Sequence, residues 1–237
     1  MISVSSLDKL GINFNSSILA FMPHPDDEAV FIAGLLKKLS RNKIRAKLVT
    51  VTAGEKSTLR YGLSPAADLA EVRKIELAKA LAILGITDYA ILGFSDSNLT
   101  SQSETLAQAV SLLIRDFKPS HVVTLEPDGI YGHPDHISLS RAVSEVVVPP
   151  VQLLYATIAI PKVKPKASAM SQKVDINPLP PQYCLKLGLV EKMAKLNALR
   201  AHSSQFKISR TDSKDFNFFQ ANRMLSNEYF TYRPDSS

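Results

Sequence analysis

The sequence predicts an α/β fold of Rossmann-like type, a mostly parallel sheet with helices on both faces and irregular or antiparallel additions at the C-terminal end. Three observations carry this expectation. Short apolar, β-branched runs alternate with helical stretches over about the first 150 residues. The runs are near-continuously apolar, as in strands covered on both faces. Polar clusters follow successive strands, on the rim where parallel sheets bind ligands.

Each element has its own justification. "SILAFM", from Ser17, is the first strand. "EAVFIAGLLKKLSRN" has helical apolar spacing, with Pro25 suited to the first helical position and Asp26, Asp27 and Glu28 in the first turn. "AKLVTVT" is the second strand. "AADLAEVRKIELAKALAILG" is a helix, since Leu69, Val72, Ile75, Leu77, Ala80, Leu81 and Leu84 recur near three- and four-residue spacing and Gly85 can end it. "DYAILGF" is the third strand, "SETLAQAVSLLIRDFK" a helix, "SHVVTLE" the fourth strand and "DHISLSRAVSEVV" another helix. "VQLLYATIAI" is a further strand, and "LGLVEKMAKLNALRAHSSQ" a late helix.

A chain of 237 residues fits a single domain over 1–237, with a core at about 17–149. The C-terminal part, 150–237, carries a flap at about 161–182, rich in proline and lysine that oppose regular pairing. Phe216, Phe218, Phe219, Tyr229, Phe230 and Tyr232 are expected to dock the tail.

Composition narrows the function. The net charge of +6 comes from mostly scattered bases, which argues against nucleic acid. The densest group, Lys37, Lys38, Arg41, Lys43, Arg45 and Lys47, reads as a solvated helix end favoured by the helix dipole. No apolar run approaches the ~20 residues of a membrane span. The start lacks a signal-peptide pattern, and the one cysteine, Cys184, cannot form an internal disulfide; a cytoplasmic protein is expected. A dinucleotide is disfavoured, because "PHPDDE" stands where a glycine-rich turn would be and would repel a pyrophosphate.

Chemistry concentrates in "HPDDE" and "GHPDH". Each opens a helix after a strand, and together they hold three of the five histidines: His24, His133 and His136. Imidazole with carboxylate suits a borderline cation such as zinc, and two histidines with one acid leave a position for water. Helix neighbours point about 100° apart, so Asp26 and Asp27 are unequal ligands; His24 and Asp27, three apart, can share a face and leave Asp26 as a base. Spacing does not decide which of His133 and His136 coordinates. The bland alternative for "HPDDE" alone is an acidic helix start.

"MPHPDDE" and the later "GHPDH" resemble the PIG-L/LmbE-like family of zinc-dependent N-acetylglucosaminyl deacetylases. "VRKIELAKALAILG", "LGFSDSNL" and "AHSSQ" are similar to the family's remaining elements, so the resemblance spans Ser17 to about Gln205. Pro23, where the family usually has a small residue, is a departure that removes no ligand. The resemblance implies hydrolysis of an N-acetyl group on an amino sugar or its conjugate. It implies His24, Asp27 and His136 as ligands of Zn2+ (Fe2+ or another divalent metal also suits such a site). Asp26 becomes the general base. His133 stabilises the oxyanion or protonates the amine, with Asp135 tuning it. By the resemblance Arg73 points into the site and contacts substrate or an acid, against a surface pairing with Glu71 or Glu76, and Asp96 binds a sugar hydroxyl, against a turn or capping role.

Other residues carry weaker assignments. Glu55 and Arg60 read as structural, Asp128 as orienting a histidine or forming a turn, and Glu28 as supporting the site or the helix start. His202 and Gln205 line the pocket by resemblance, and His121 reads as structural. The partner is a small amino-sugar or glycoconjugate substrate, and neither its identity nor the oligomeric state is legible. Two rival functions stand beside this one: an amidase acting on a thiol–sugar conjugate with the same metal site, and a metal- or glycan-binding module without turnover.

Overall fold

The computed structural model describes residues 1–159, 176–207 and 225–234. Its elements are β1 (Ile2–Val4), β2 (Ser17–Met22), α1 (Asp27–Phe31), α2 (Ala33–Arg41), β3 (Arg45–Thr52), α3 (Leu69–Leu84), β4 (Tyr89–Phe94), α4 (Ser103–Phe117) and β5 (His121–Leu125). They continue with an irregular turn α5 (Gly129–Gly132), then α6 (Pro134–Val146), β6 (Gln152–Thr157), β7 (Tyr183–Lys186), α7 (Leu189–Ala201) and β8 (Asn227–Tyr232).

The strands form one eight-stranded sheet in the order β1-β7-β8-β6-β5-β2-β3-β4. Every pairing is parallel except those of β8 with β6 and β7, so the antiparallel addition is C-terminal, as the sequence predicts. The chain runs from β2 outward to β3 and β4, then returns to place β5 on the other side of β2. The crevice between β2 and β5 is therefore the topological switch point, where ligands bind in such sheets.

The period-two alternation of β2 divides the core. Ile18, Ala20 and Met22 pack with Leu35, Leu36, Leu81 and Leu199 on one face. Leu19 and Phe21 pack with Leu106, Val110, Leu139 and Val143 on the other. A buried ion pair ties the C-terminal strand to this frame: Lys195 Nζ lies 2.8 Å from Glu228 Oε1, both side chains 1% exposed. The Glu228 carboxylate also accepts the Gly34 and Leu35 amides at 2.7 and 2.8 Å, satisfying free donors at the start of α2. Removing Lys195 alone would strand that carboxylate, at a cost of about 3–5 kcal/mol.

Three expectations are corrected. The first helix begins at Asp27, because Asp26 takes φ 117° and Pro25 is not its first helical residue. That helix also breaks at Ile32 (φ −134°), giving α1 and α2. The N-terminal β1, three residues with no readable period, was not expected; it pairs with β7. Most of the flap falls at 160–175, outside the described residues, as do Phe216, Phe218 and Phe219. Phe230, within β8, is fully buried.

The basic group around α2 has structural partners. Lys37 donates to the Ile83 carbonyl, Lys38 to that of Ser5, Arg41 to Glu191 and Lys47 to Asp88. Arg45 lies 4.0 Å over the Phe117 ring. No helix among the described residues is long and apolar enough to cross a membrane.

Candidate active site

Four strand ends build the site. β2 runs into Pro23–Asp27, and Thr52 at the end of β3 secures this exit by donating both its amide and its hydroxyl to the Pro23 carbonyl, each at 3.0 Å. Asp96 follows β4, and β5 leads through α5 to His133 and His136. The rings of His24, His133 and His136 gather with centroids 4.8 to 5.4 Å apart.

Asp27 is the pivot. Its Oδ2 lies 3.4 Å from His24 Nδ1 and 3.5 Å from His136 Nε2, and accepts the His24 amide at 3.0 Å. Burial opposes its ionisation, yet the His24 ring and the His24 amide hold its carboxyl below the usual range. Burial pushes His136 down to about 3, so this ring is neutral and keeps a lone pair. Both His136 nitrogens are buried without a hydrogen-bond partner. A neutral ring nitrogen facing a carboxylate oxygen with no shared proton is a costly arrangement. A cation accepting both lone pairs would relieve it, so the residues fit a divalent metal held by His24, Asp27 and His136.

His24 has a second set of contacts. Its Nε2 lies 3.2 Å from Asp96 Oδ1 and 3.3 Å from Asp135 Oδ2. Burial works against its protonation, but bonds to Asp135, Asp27 and Asp96 raise its pKa well above the ordinary value. A proton fixed on Nε2 leaves Nδ1 to face Asp27, the usual way a carboxylate orients a ligating imidazole. Donor atoms of His24, His133 and His136 also lie within 4.8 Å of one another, as do those of His24, Asp96 and Asp135. The latter set is already joined by hydrogen bonds, whereas the bare atoms point between Asp27 and His136.

This geometry gives three of the assigned residues definite partners. The Asp135 carboxylate meets His24 and the amides of Ser97 and Leu99 at 2.6 and 3.1 Å; only its backbone amide reaches His133. Asp96 is buried, held by the Lys56 amide and bonded to His24. Arg73 is buried too: its Nη2 lies 3.1 Å from Asp26 Oδ2, its Nη1 donates to the Gly54 carbonyl at 2.8 Å, and it also donates to the Pro25 carbonyl. Arg73 therefore meets an acid within the site, one of the two contacts expected of it, and not a surface glutamate. Gly54 permits the approach, since a Cβ there would stand 2.0 Å from the guanidinium. Gly129 likewise gives room to His136, with a Cβ clash at 2.8 Å.

Two chemical groups retain access. The Asp26 side chain is 19% exposed, against 7%, 5% and 1% for Asp27, Asp96 and Asp135. Burial raises its pKa to about 7 despite Arg73, giving a carboxylate basic enough to take a proton near neutrality. Its backbone, at φ 117° and ψ −26°, costs about 1–3 kcal/mol and persists only where surroundings enforce it. His133 is half-buried. Its Nδ1 accepts the Asp135 amide at 3.2 Å, which places the proton on Nε2. Burial and the neighbouring His24 lower its pKa, so it is a neutral donor.

Sequence reasoning missed Tyr131, whose ring packs 5.1 Å from His136 and 6.2 Å from His133. Its place two residues before His133 was a usable signal. Of the weaker assignments, Glu28 and His202 pair with each other. Gln205 accepts from the Ser57 hydroxyl at 2.8 Å and braces the loop after β3. Glu55 accepts the Asp96 amide at 2.9 Å, and Arg60 donates to the Ala67 carbonyl at 2.6 Å, both structural as expected. Asp128 accepts the Asn177 amide at 3.0 Å, a structural bond. His121 bonds Ser120 at 2.9 Å, also as expected.

Comparison with known proteins places the chain in a family. The family described as PIG-L, GlcNAc-PI de-N-acetylase, matches residues 19–147. A probable N-acetyl-alpha-D-glucosaminyl L-malate deacetylase 2 of Bacillus anthracis is 30% identical over 204 residues, covering 83% of this chain and 84% of that protein. A 1D-myo-inositol 2-acetamido-2-deoxy-alpha-D-glucopyranoside deacetylase of Acidothermus cellulolyticus is 33% identical over 154 residues, covering 55% of this chain and 53% of its own. The N,N'-diacetylchitobiose deacetylase of Pyrococcus horikoshii shares the fold at TM-score 0.69 and 20% identity, covering 96% of this chain and 90% of that one. An A40926 pseudoaglycone deacetylase does so at TM-score 0.71 and 21% identity, with 94% and 99% covered. The chain belongs to the PIG-L family.

Proposed function

We propose that the protein is a metal-dependent hydrolase that removes the acetyl group from an N-acetylglucosamine-type sugar or conjugate, releasing acetate and a free amine. The observation that carries this reading is the coexistence of a bare donor set at Asp27 and His136 with an accessible base, Asp26, and an accessible donor, His133. Family membership and the named relatives, deacetylases of amino-sugar conjugates, support the same chemistry.

A cation held by His24, Asp27 and His136, zinc or ferrous iron, would lower the pKa of a water and polarise the acetyl carbonyl. Asp26 takes the proton from the attacking water. His133 Nε2–H donates to the oxygen on which negative charge develops, a preorganised contact in a partly water-excluded site. Asp26 then returns its proton to the departing nitrogen. Asp96 and Asp135 hold the His24 ring, and Arg73 holds Asp26 against the same rim. On this reading the substrate is a small cytoplasmic amino-sugar conjugate.

The test combines elemental analysis of the purified protein with acetate release from N-acetylglucosaminyl malate, N-acetylglucosaminyl inositol and N,N'-diacetylchitobiose, with and without chelator. About one zinc or iron per chain with chelator-sensitive acetate release is expected. Amine release without acetate would favour the amidase reading instead. Metal-loaded protein that binds these sugars and leaves them intact would overturn hydrolysis.

A further inference from the structure

Glu28 and His202 are 0% exposed and lie behind the site, 174 residues apart in sequence. The Glu28 carboxylate is divided between two partners. Its Oε2 accepts the Asp26 amide at 2.9 Å, and its Oε1 lies 2.6 Å from His202 Nε2. Neither side chain can touch a substrate, and the atom they secure is the backbone nitrogen of a residue at φ 117°. A conformation this unfavourable needs enforcement.

We propose that His202 and Glu28 form a clamp that holds the left-handed Asp26 turn, making His202 a positioning residue for the base from the far end of the chain. The proposal rests on the reading of Asp26 as that base. The other side of Asp26 is held by Arg73, so one contact fixes its backbone and the other its carboxylate. Both converge on α3. Arg73 lies one turn before Glu76, and Glu76 accepts the Ser204 amide and hydroxyl, each at 2.7 Å, and the Ser203 hydroxyl at 3.0 Å. The segment carrying His202 is thereby fixed to the helix that carries Arg73. Asp26 is aimed by a frame spanning α1, α3 and the end of α7. A displacement of about 1 Å at such a group is enough to cost on the order of 10²-fold in rate.

The experiment compares the parent with His202→Leu, His202→Gln and Glu28→Gln in three readouts: metal per chain, hydrogen exchange of the Asp26 amide, and kcat and KM for acetate release. Glutamine at either position keeps hydrogen bonding across the clamp; leucine at 202 does not. His202→Leu should keep the metal and the parent's KM, lose about 10²-fold in kcat and speed exchange at Asp26, while both glutamine variants stay near the parent. A His202→Leu protein with parental kcat and exchange would overturn the clamp, as would losses in kcat that only track lost metal. If His202→Leu does not fold, Glu28→Gln and His202→Gln still decide: large kcat losses with unchanged Asp26 exchange in both would overturn the proposal. A parent that releases no acetate would defeat the deacetylase reading, yet exchange at Asp26 would still report on the clamp.

Discussion

The turn after β2 and the turn after β5 share a pattern, His-Pro-Asp, and lie side by side on one rim, yet they are built in opposite ways. In the first, the polar groups are heavily engaged. His24 meets Asp27 through one ring nitrogen and Asp96 and Asp135 through the other, and Glu28 binds the Asp26 amide. In the second, Pro134 starts a regular helix capped by His133, and His136 leaves both ring nitrogens bare. In the first turn each of these groups has a protein partner, whereas in the second Asp135 is satisfied and the His136 ring alone is left without one. Reactive geometry comes from the first, through the forced backbone of Asp26, and unmet ligand capacity from the second.

The sharpest way to break this comparison is Asp26→Ala. It removes the accessible acid and leaves the proposed ligands His24, Asp27 and His136 in place, so acetate release should fall about 10³-fold with metal content unchanged. Single-turnover assays on metal-quantified protein check this, and parental turnover would show that the engaged turn supplies no base. His133→Ala acts from the other turn. Loss of one preorganised donor should lower kcat about 10²-fold, with KM little changed. A loss confined to KM would instead make His133 a binding group.

Stability of the metal-free protein distinguishes the two turns further. His24→Leu strands Asp96 and Asp135 without their shared donor, and should destabilise by about 1–3 kcal/mol. His136→Leu removes a ring that makes no hydrogen bond, and should be neutral or stabilising while abolishing metal binding. Thermal unfolding in chelator measures both. Equal destabilisation would mean that the bare nitrogens of His136 do have partners.

Strands β2 to β6, the long helices and the pairing of the two motifs were legible in the sequence, because apolar runs covered on both faces and helical spacing leave marks, whereas the short β1, β7 and β8 left none that was read. Asp26, Asp27, His24, His133 and His136 do come together as their spacing implied. The partners of Asp135 and Asp96 were not legible, for a physical reason. A motif fixes where a backbone goes, but side-chain direction depends on donors elsewhere, here the amides of Ser97, Leu99 and Lys56. The left-handed Asp26 was illegible for the same reason, since Glu28 captures its amide only after the fold closes over it. The pairing of His202, assigned to the pocket by resemblance, was illegible because its partner Glu28 is 174 residues away.

The smallest expected effect lies behind the first turn. Burial acts to lower the pKa of His202, but the charge and hydrogen bond of Glu28 override it and raise it above the ordinary histidine range in the folded protein. A histidine raised in the folded state contributes stability that is fully present below its unfolded pKa and is lost as pH rises through its folded pKa. The metal-free protein should therefore lose stability on going from pH 6 to above neutrality, and His202→Gln, which keeps a donor without a titrating proton, should lose less over the same window. The difference between the two unfolding curves isolates His202 from the groups both proteins share. If the curves stay parallel, Glu28 holds a neutral ring, and the contact at the back of the engaged turn is a hydrogen bond without a charge. A divergence in the stated direction would mean that the turn carrying the base is held by an ion pair that alkaline pH weakens, while the turn carrying His136, neutral down to about pH 3, is untouched.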